Sequence, residues 1–132
     1  MSMTLRCLAL LVLLALSSCT FPRAVRKLQQ NETNEAIALL QKSVDHPTYG
    51  PGARYYLNAI TINRERDTET WLAASDTLCL LEAEVQQLSR KQLVKLKKHR
   101  AATGDIRQTR ENLQTRITDQ MQEQGRMAHA KS

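Results

Sequence analysis

Residues 34–63 read NEAIALLQKSVDHPTYGPGARYYLNAITIN, and the punctuation in this stretch decides the fold. In its first half Ala36, Ile37, Leu40 and Val44 recur at spacings of three and four, placing them on one stripe of a helix over about Glu35 to Asp45. Thr33 or Asn34 offers a side-chain oxygen to cap that helix. His46 to Gly52 then holds two prolines and two glycines, the clearest break in the chain. Beyond it Ala53, Tyr56, Leu57 and Ile60 fall on one face of a second helix, about Ala53 to Asn63. Two amphipathic helices joined by a short loop make a helical hairpin.

Helical patterning continues outward on both sides. Upstream, a short helix is expected from about Pro22 to Gln30, since proline is welcome in a first turn; Asn31 to Asn34 breaks it. Downstream, Arg64 to Asp67 leads to Thr68, a plausible cap for a long helix over roughly Thr70 to Arg100. Its stripe is Trp71, Leu78, Leu81, Val85 and Leu88, changing phase to Leu93 and Leu96. Gly104 weakens the run, and Asp105 can cap a last helix to about Gln124, with Ile106, Leu113, Ile117 and Met121 on one face. Arg110 interrupts that stripe, so the apolar face is narrow. Residues 125–132 are expected to fray as a disordered tail. Runs of β-branched residues and alternating patterns are absent. The expected fold is all-α: a short hairpin packed on a long C-terminal helix with coiled-coil character.

The hairpin resembles the tetratricopeptide type. That repeat carries a small residue early in its second helix, a large apolar one four later, a small one three further on, and then a proline. Ala36, Leu40, Ser43 and Pro47 follow this order. Ala24 fits a small position in the preceding helix, and Ala53 to Ala59 looks like the opening of a following one. The proline comes one residue early, the first helix lacks the usual aromatic, and the spacing is lost after Arg66. The resemblance covers residues 22–63, fewer than the roughly three repeats a stable stack needs, so the long helix must serve as its cover. It implies a protein-binding groove between the second and third helices, with Tyr55, Tyr56 and Leu57 as candidate contacts.

The N-terminus has its own pattern. A short start bearing Arg6 is followed by ten unbroken apolar residues, Cys7 to Leu16, and then Ser17, Ser18 and Cys19. This is the layout of a secretory signal. As a helix the apolar run spans only about 15 Å, against a hydrocarbon core of roughly 30 Å. Leu16-Ser17-Ser18-Cys19 resembles the lipobox of bacterial lipoproteins. The resemblance implies acylation of the Cys19 thiol, cleavage before Cys19, and acylation of the new amino terminus. Thr20, where such proteins use Asp to stay in the inner membrane, implies the periplasmic face of the outer membrane. The expected organisation is a signal peptide (1–18), a lipid-anchored hairpin region (19–67), a long helical region (68–124) and the tail (125–132).

Charge divides the chain further. Residues 32–89 hold nine acidic and four basic side chains, whereas residues 90–132 hold eleven basic and four acidic ones. Arg90, Lys91, Lys95, Lys97, Lys98 and Arg100 crowd into eleven positions without an acid. Leu93, Val94 and Leu96 interleave them. Such a segment suits anionic lipid headgroups, anionic wall polymer or an acidic protein, another copy of the chain included. An export signal argues against nucleic acid.

No catalytic constellation is visible. His46, His99 and His129 are far apart with no metal-ligand spacing, and glycine is too scarce for a phosphate-cradling loop. No cofactor is expected. After processing, Cys79 would be the one free thiol, and its leucine neighbours suggest a buried apolar position. The sequence therefore points to a non-catalytic, membrane-anchored adaptor. The alternatives are a structural coiled-coil lipoprotein that self-associates through residues 70–124, or a regulatory accessory of an envelope sensor or secretion system.

Overall fold

In a computed structural model the chain is all-helical. The backbone is described for residues 2–131, and side chains for 4–8 and 20–130. Among these residues there are six helices: α1 (Ser2–Gln29), α2 (Thr33–Ser43), α3 (Gly50–Arg64), α4 (Thr68–Gln86), α5 (Arg90–Lys98) and α6 (Thr103–Lys131). None is long and apolar enough to cross a membrane.

The helices pack in chain order, α1 on α2, α2 on α3, α3 on α4, and α4 on α6. Polar contacts fix their directions. Lys27 in α1 bonds Glu32 and Glu35 at the start of α2, and Arg64 at the end of α3 reaches Asn34. In α4, Glu82 meets Arg107 and Arg110 of α6, Trp71 lies under Arg116, and Thr68 meets Gln120. Neighbours are therefore antiparallel. One end of the bundle gathers residue 21, the α2–α3 loop, the end of α4 and the start of α6. The opposite end gathers the α1–α2 turn, the α3–α4 turn and Trp71.

One core fills the interior. It takes Leu40 from α2, Ala53, Tyr55 and Ile62 from α3, Trp71, Ala74, Leu78, Leu81 and Val85 from α4, and Ile106, Leu113 and Ile117 from α6. Phe21, Ala24 and Val25 enter from α1. The small positions Ala24, Ala36, Ser43 and Ala53 are fully buried. The Trp71 indole N–H donates to the carbonyls of Ile62 and Glu65, closing the α3–α4 turn.

Several boundaries differ from the sequence reading. The first helix does not begin at Pro22 but runs from Ser2 with Pro22 inside it. The long helix expected over Thr70 to Arg100 is two, parted at Gln87 to Ser89. Ser89 accepts from the Gln92 N–H while the Gln92 side chain accepts from the Ser89 N–H, a reciprocal cap that starts α5. α5 ends with Arg100 in the left-handed region at φ 57°. There the Ala101 N–H bonds the Leu96 carbonyl and the Arg100 N–H that of Lys97. α6 continues through Gly125 to Lys131, so residues 125–131 are helical rather than frayed. Asp67, not Thr68, caps α4. Cys79 is exposed, because it sits one position round the helix from buried Leu78; Leu80 beside it is 73% exposed. Met121 is exposed as well, since α6 has by then run past the start of α4.

Candidate functional site

The end of the bundle around Phe21 concentrates the unusual chemistry. Phe21 is 0% exposed. Its ring stacks on Tyr49 at 5.0 Å, lies 5.9 Å from Tyr56, and meets His99 edge-on at 5.5 Å. Gly52 makes this packing possible: a Cβ there would sit 2.9 Å from the Phe21 ring and 3.0 Å from the Leu96 side chain. Gly50 is constrained likewise, since a Cβ would lie 2.6 Å from the Val44 carbonyl oxygen. The two glycines of the α2–α3 loop are thus close-approach positions, and they let α1, α3 and α5 converge on one ring.

His46 organises the same loop. Its Nδ1 accepts from the backbone N–H groups of Thr48 and Tyr49, both at 3.0 Å, which requires that nitrogen to be unprotonated. Burial, then the charge of Lys95, holds its pKa below the ordinary histidine value. His99 is shifted the same way by burial and by Lys98. The Gln92 amide donates to the Thr48 hydroxyl and ties α5 to the loop.

α5 lies across this end as a base. Leu96 is fully buried against Phe21 and Gly52, and Leu93 is half-buried. Opposite Leu96, helical geometry places Lys91, Val94 and Lys98. Val94 is 63% exposed, and all six cations from Arg90 to Arg100 are exposed. Among the described residues none of these six enters an ion pair, whereas Lys27, Arg54, Arg107 and Arg110 each meet a carboxylate. Between α5 and the start of α6 runs an open groove of about 610 Å³, whose lining includes Arg90, Leu93, Val94, Lys97, Gly104 and Asp105, the last accepting from the Ala102 N–H.

The residues proposed from sequence are distributed as follows. The Cys19 side chain lies outside the described residues, although Cys19 belongs to the backbone of α1. Tyr55 and Tyr56 do not open onto a groove between α2 and α3. Tyr55 is buried, and its hydroxyl shares a 2.6 Å hydrogen bond with Thr109 of α6. The Tyr56 hydroxyl donates to the His99 carbonyl at 2.5 Å, and burial pushes its pKa up to about 12. Both tyrosines point towards α5 and α6 because they lie on the α3 face turned from α2. Leu57 alone faces the α2–α3 side, half-buried beside Ile37 and Ile60 in a shallow groove of about 400 Å³. Of the six cations, Lys91 and Lys98 flank Val94 on the outward face, Arg90 and Lys97 border the α5–α6 groove, and Arg100 lines a second groove of about 470 Å³ with Val25, Tyr55 and Tyr56.

Sequence reasoning missed the Phe21 nest and the Glu82 clamp. Glu82 is nearly buried between Arg107 at 2.7 Å and Arg110 at 3.1 Å, and hydrogen bonds from Arg107 hold its pKa low. Arg110 in an apolar stripe was the available signal for the clamp. No group of three or more His, Cys, Asp or Glu among the described residues is placed to hold a metal ion. Comparison with known families, characterised proteins and solved structures finds no match.

Proposed function

We propose that this chain is a bacterial envelope lipoprotein, tethered by acyl chains on Cys19, that acts as a non-catalytic helical adaptor between a membrane surface and a protein partner. The observation that carries this reading is the junction at residues 16–22. The lipobox-like Leu16-Ser17-Ser18-Cys19 is followed at once by Phe21, the side chain that locks α1 into the core. Inside an uninterrupted α1, Pro22 removes a hydrogen bond and crowds the preceding turn, at about 3 kcal/mol or more. In a chain beginning at Cys19 the same proline stands in the first turn, where the penalty vanishes. Upstream of the junction Leu5 and Leu8 are exposed, whereas Phe21, Ala24 and Val25 enter the core. That contrast favours cleavage between the two segments.

The adaptor reading is favoured over a self-associating rod by the use of the apolar seams. The α4 stripe and the α6 stripe bury each other within one chain, so neither is left for a second copy. Away from the Phe21 end, the open surfaces include the Leu57 groove and the α6 arm beyond Gln120, every described side chain of which is exposed. These are the surfaces that would meet a partner.

Intact mass of protein extracted from membranes tests the tether. A mass of residues 19–132 plus acyl chains supports it; an unmodified or differently cut chain overturns it. Sedimentation of the processed protein in detergent separates the two readings, a monomer fitting the adaptor and an obligate oligomer the rod.

A further inference from the structure

Resting on the tether proposed above, we infer that α5 is a lipid-facing base whose cations and exposed Val94 seat on the anionic phospholipid headgroups of the bilayer holding the anchor.

Position comes first. Only Thr20 separates Cys19 from Phe21, whose ring meets His99 at the end of α5 and, with Leu96, closes over Gly52. Two residues of chain reach about 7 Å, so acyl chains on Cys19 bring this end of the bundle, and no other, down onto the bilayer. Charge is the second argument. Lys27, Arg54, Arg107 and Arg110 meet carboxylates and Arg116 lies over Trp71, whereas the six cations of the α5 segment, the densest such run in the chain, are all exposed and enter no ion pair among the described residues. Shape is the third. Val94 stands at the middle of the outward face with Lys91 and Lys98 on either side, the layout of a short interfacial helix with an apolar centre and a basic rim. The α5–α6 groove adds an apolar floor of Leu93 and Val94 with Arg90 and Lys97 at its edge, and nothing within 4 Å of a Cβ at Gly104 closes it. That pairing suits a phosphate at the rim and the glycerol end of an acyl chain on the floor.

A second copy of the chain fits this surface less well. Glu32, Glu35, Glu82 and Glu84, four of the nine acids in residues 32–89, are already committed to ion pairs within the body. Copies tethered to one bilayer also stand in parallel, so the base of each faces lipid rather than the flank of its neighbour.

The test uses the processed, acylated protein in vesicles of phosphatidylcholine alone or with phosphatidylglycerol added. Lysine acetylation is followed by mass spectrometry, with Lys27 at the opposite end as internal reference. Acetylation of Lys91, Lys95 and Lys98 should slow about five-fold or more in the anionic vesicles, the factor that one surface cation's attraction supplies. Added salt should reverse the slowing, and Val94→Asp, an exposed substitution that leaves the core untouched, should abolish it. Equal rates in both vesicles overturn the inference, as does equal slowing in both, which marks α5 as covered by protein. Failure of the protein to join vesicles of either kind overturns the tether itself, a result distinct from both.

Discussion

Replacing Phe21 by Ala tests whether the segment after Cys19 is part of the folded body. The side chain is fully buried and touches three rings, Tyr49, Tyr56 and His99, as well as Gly52 and Leu96. Truncating a buried Phe costs about 3–5 kcal/mol. Lost ring pairs contribute about 0.5–1.5 kcal/mol each and share the same atoms, which places this site near the upper half, about 4 kcal/mol. For a body of this size each kcal/mol moves the melting temperature by roughly 4–8 °C, so a fall of roughly 20 °C follows. A domain of this kind has about 5–15 kcal/mol in total, so the variant stands near the edge of folding. Thermal unfolding of the processed protein in detergent, followed by circular dichroism, reads it directly. Phe21→Leu keeps most of the volume and should lose about 1.5 kcal/mol or less. If Phe21→Ala melts within a few degrees of the parent, α1 is not docked in the processed chain, and the placement of the tether beside α5 fails with it.

Gly52→Ala should destabilise by about 1–3 kcal/mol, because its Cβ meets Phe21 and Leu96 at 2.9 and 3.0 Å, whereas Gly104→Ala, with nothing within 4 Å, should stabilise by about 0.5–1 kcal/mol in the same melts. The His46 pKa is lower in the folded state than its ordinary value of 6.5, so the folded chain binds fewer protons. Its contribution is therefore complete above about pH 6.5 and declines as pH falls below it; melting temperature should drop between about pH 7 and about pH 5, and His46→Gln should flatten that slope. Cys79 is exposed, so a thiol reagent should label the native processed chain once, at the rate of a free thiol; slow labelling that appears only on unfolding contradicts the exposure. Deleting residues 121–132 should change stability by less than about 0.5 kcal/mol, since the described side chains there are exposed, while reducing crosslinks to an envelope partner in cells.

The helices were legible because their stripes obey a period that burial imposes. Ala36 with Leu40, Trp71 with Leu78, Leu81 and Val85, and Ile106 with Leu113 and Ile117 all lie in the core. The break at Gln87 to Ser89 was hidden because helix formers surround it. The signal present was Ser89 three residues before Gln92, together with the phase change from Leu88 to Leu93. Cys79 was misplaced because adjacency to leucines in sequence is not adjacency on a helix face. The six cations were legible as a run. Their place beneath Phe21 was not, since contacts such as Phe21 with His99 join residues far apart in sequence that no local pattern links.

The two ends of the bundle differ in a way that follows from connectivity. From Phe21 onward α1 runs away from that end, α3 and α6 start there, and α2 and α4 return to it. α5 is the one helix that does not span the body, and it carries the densest charge in the chain. Its inner side carries Leu96, which is fully buried, and leads to His99, which meets the Phe21 ring, while holding Arg100 in the left-handed region costs about 1 kcal/mol. A direct turn from α4 into α6 would still bury the α4–α6 seam but would uncover Phe21 and Gly52. Stability therefore accounts for the inner side of α5 and gives no account of the cations on its outer side. A surface requirement at that end does, and it predicts that neutralising Lys91, Lys95 and Lys98 together leaves the melting temperature in detergent unchanged while weakening the hold of the body on anionic lipid.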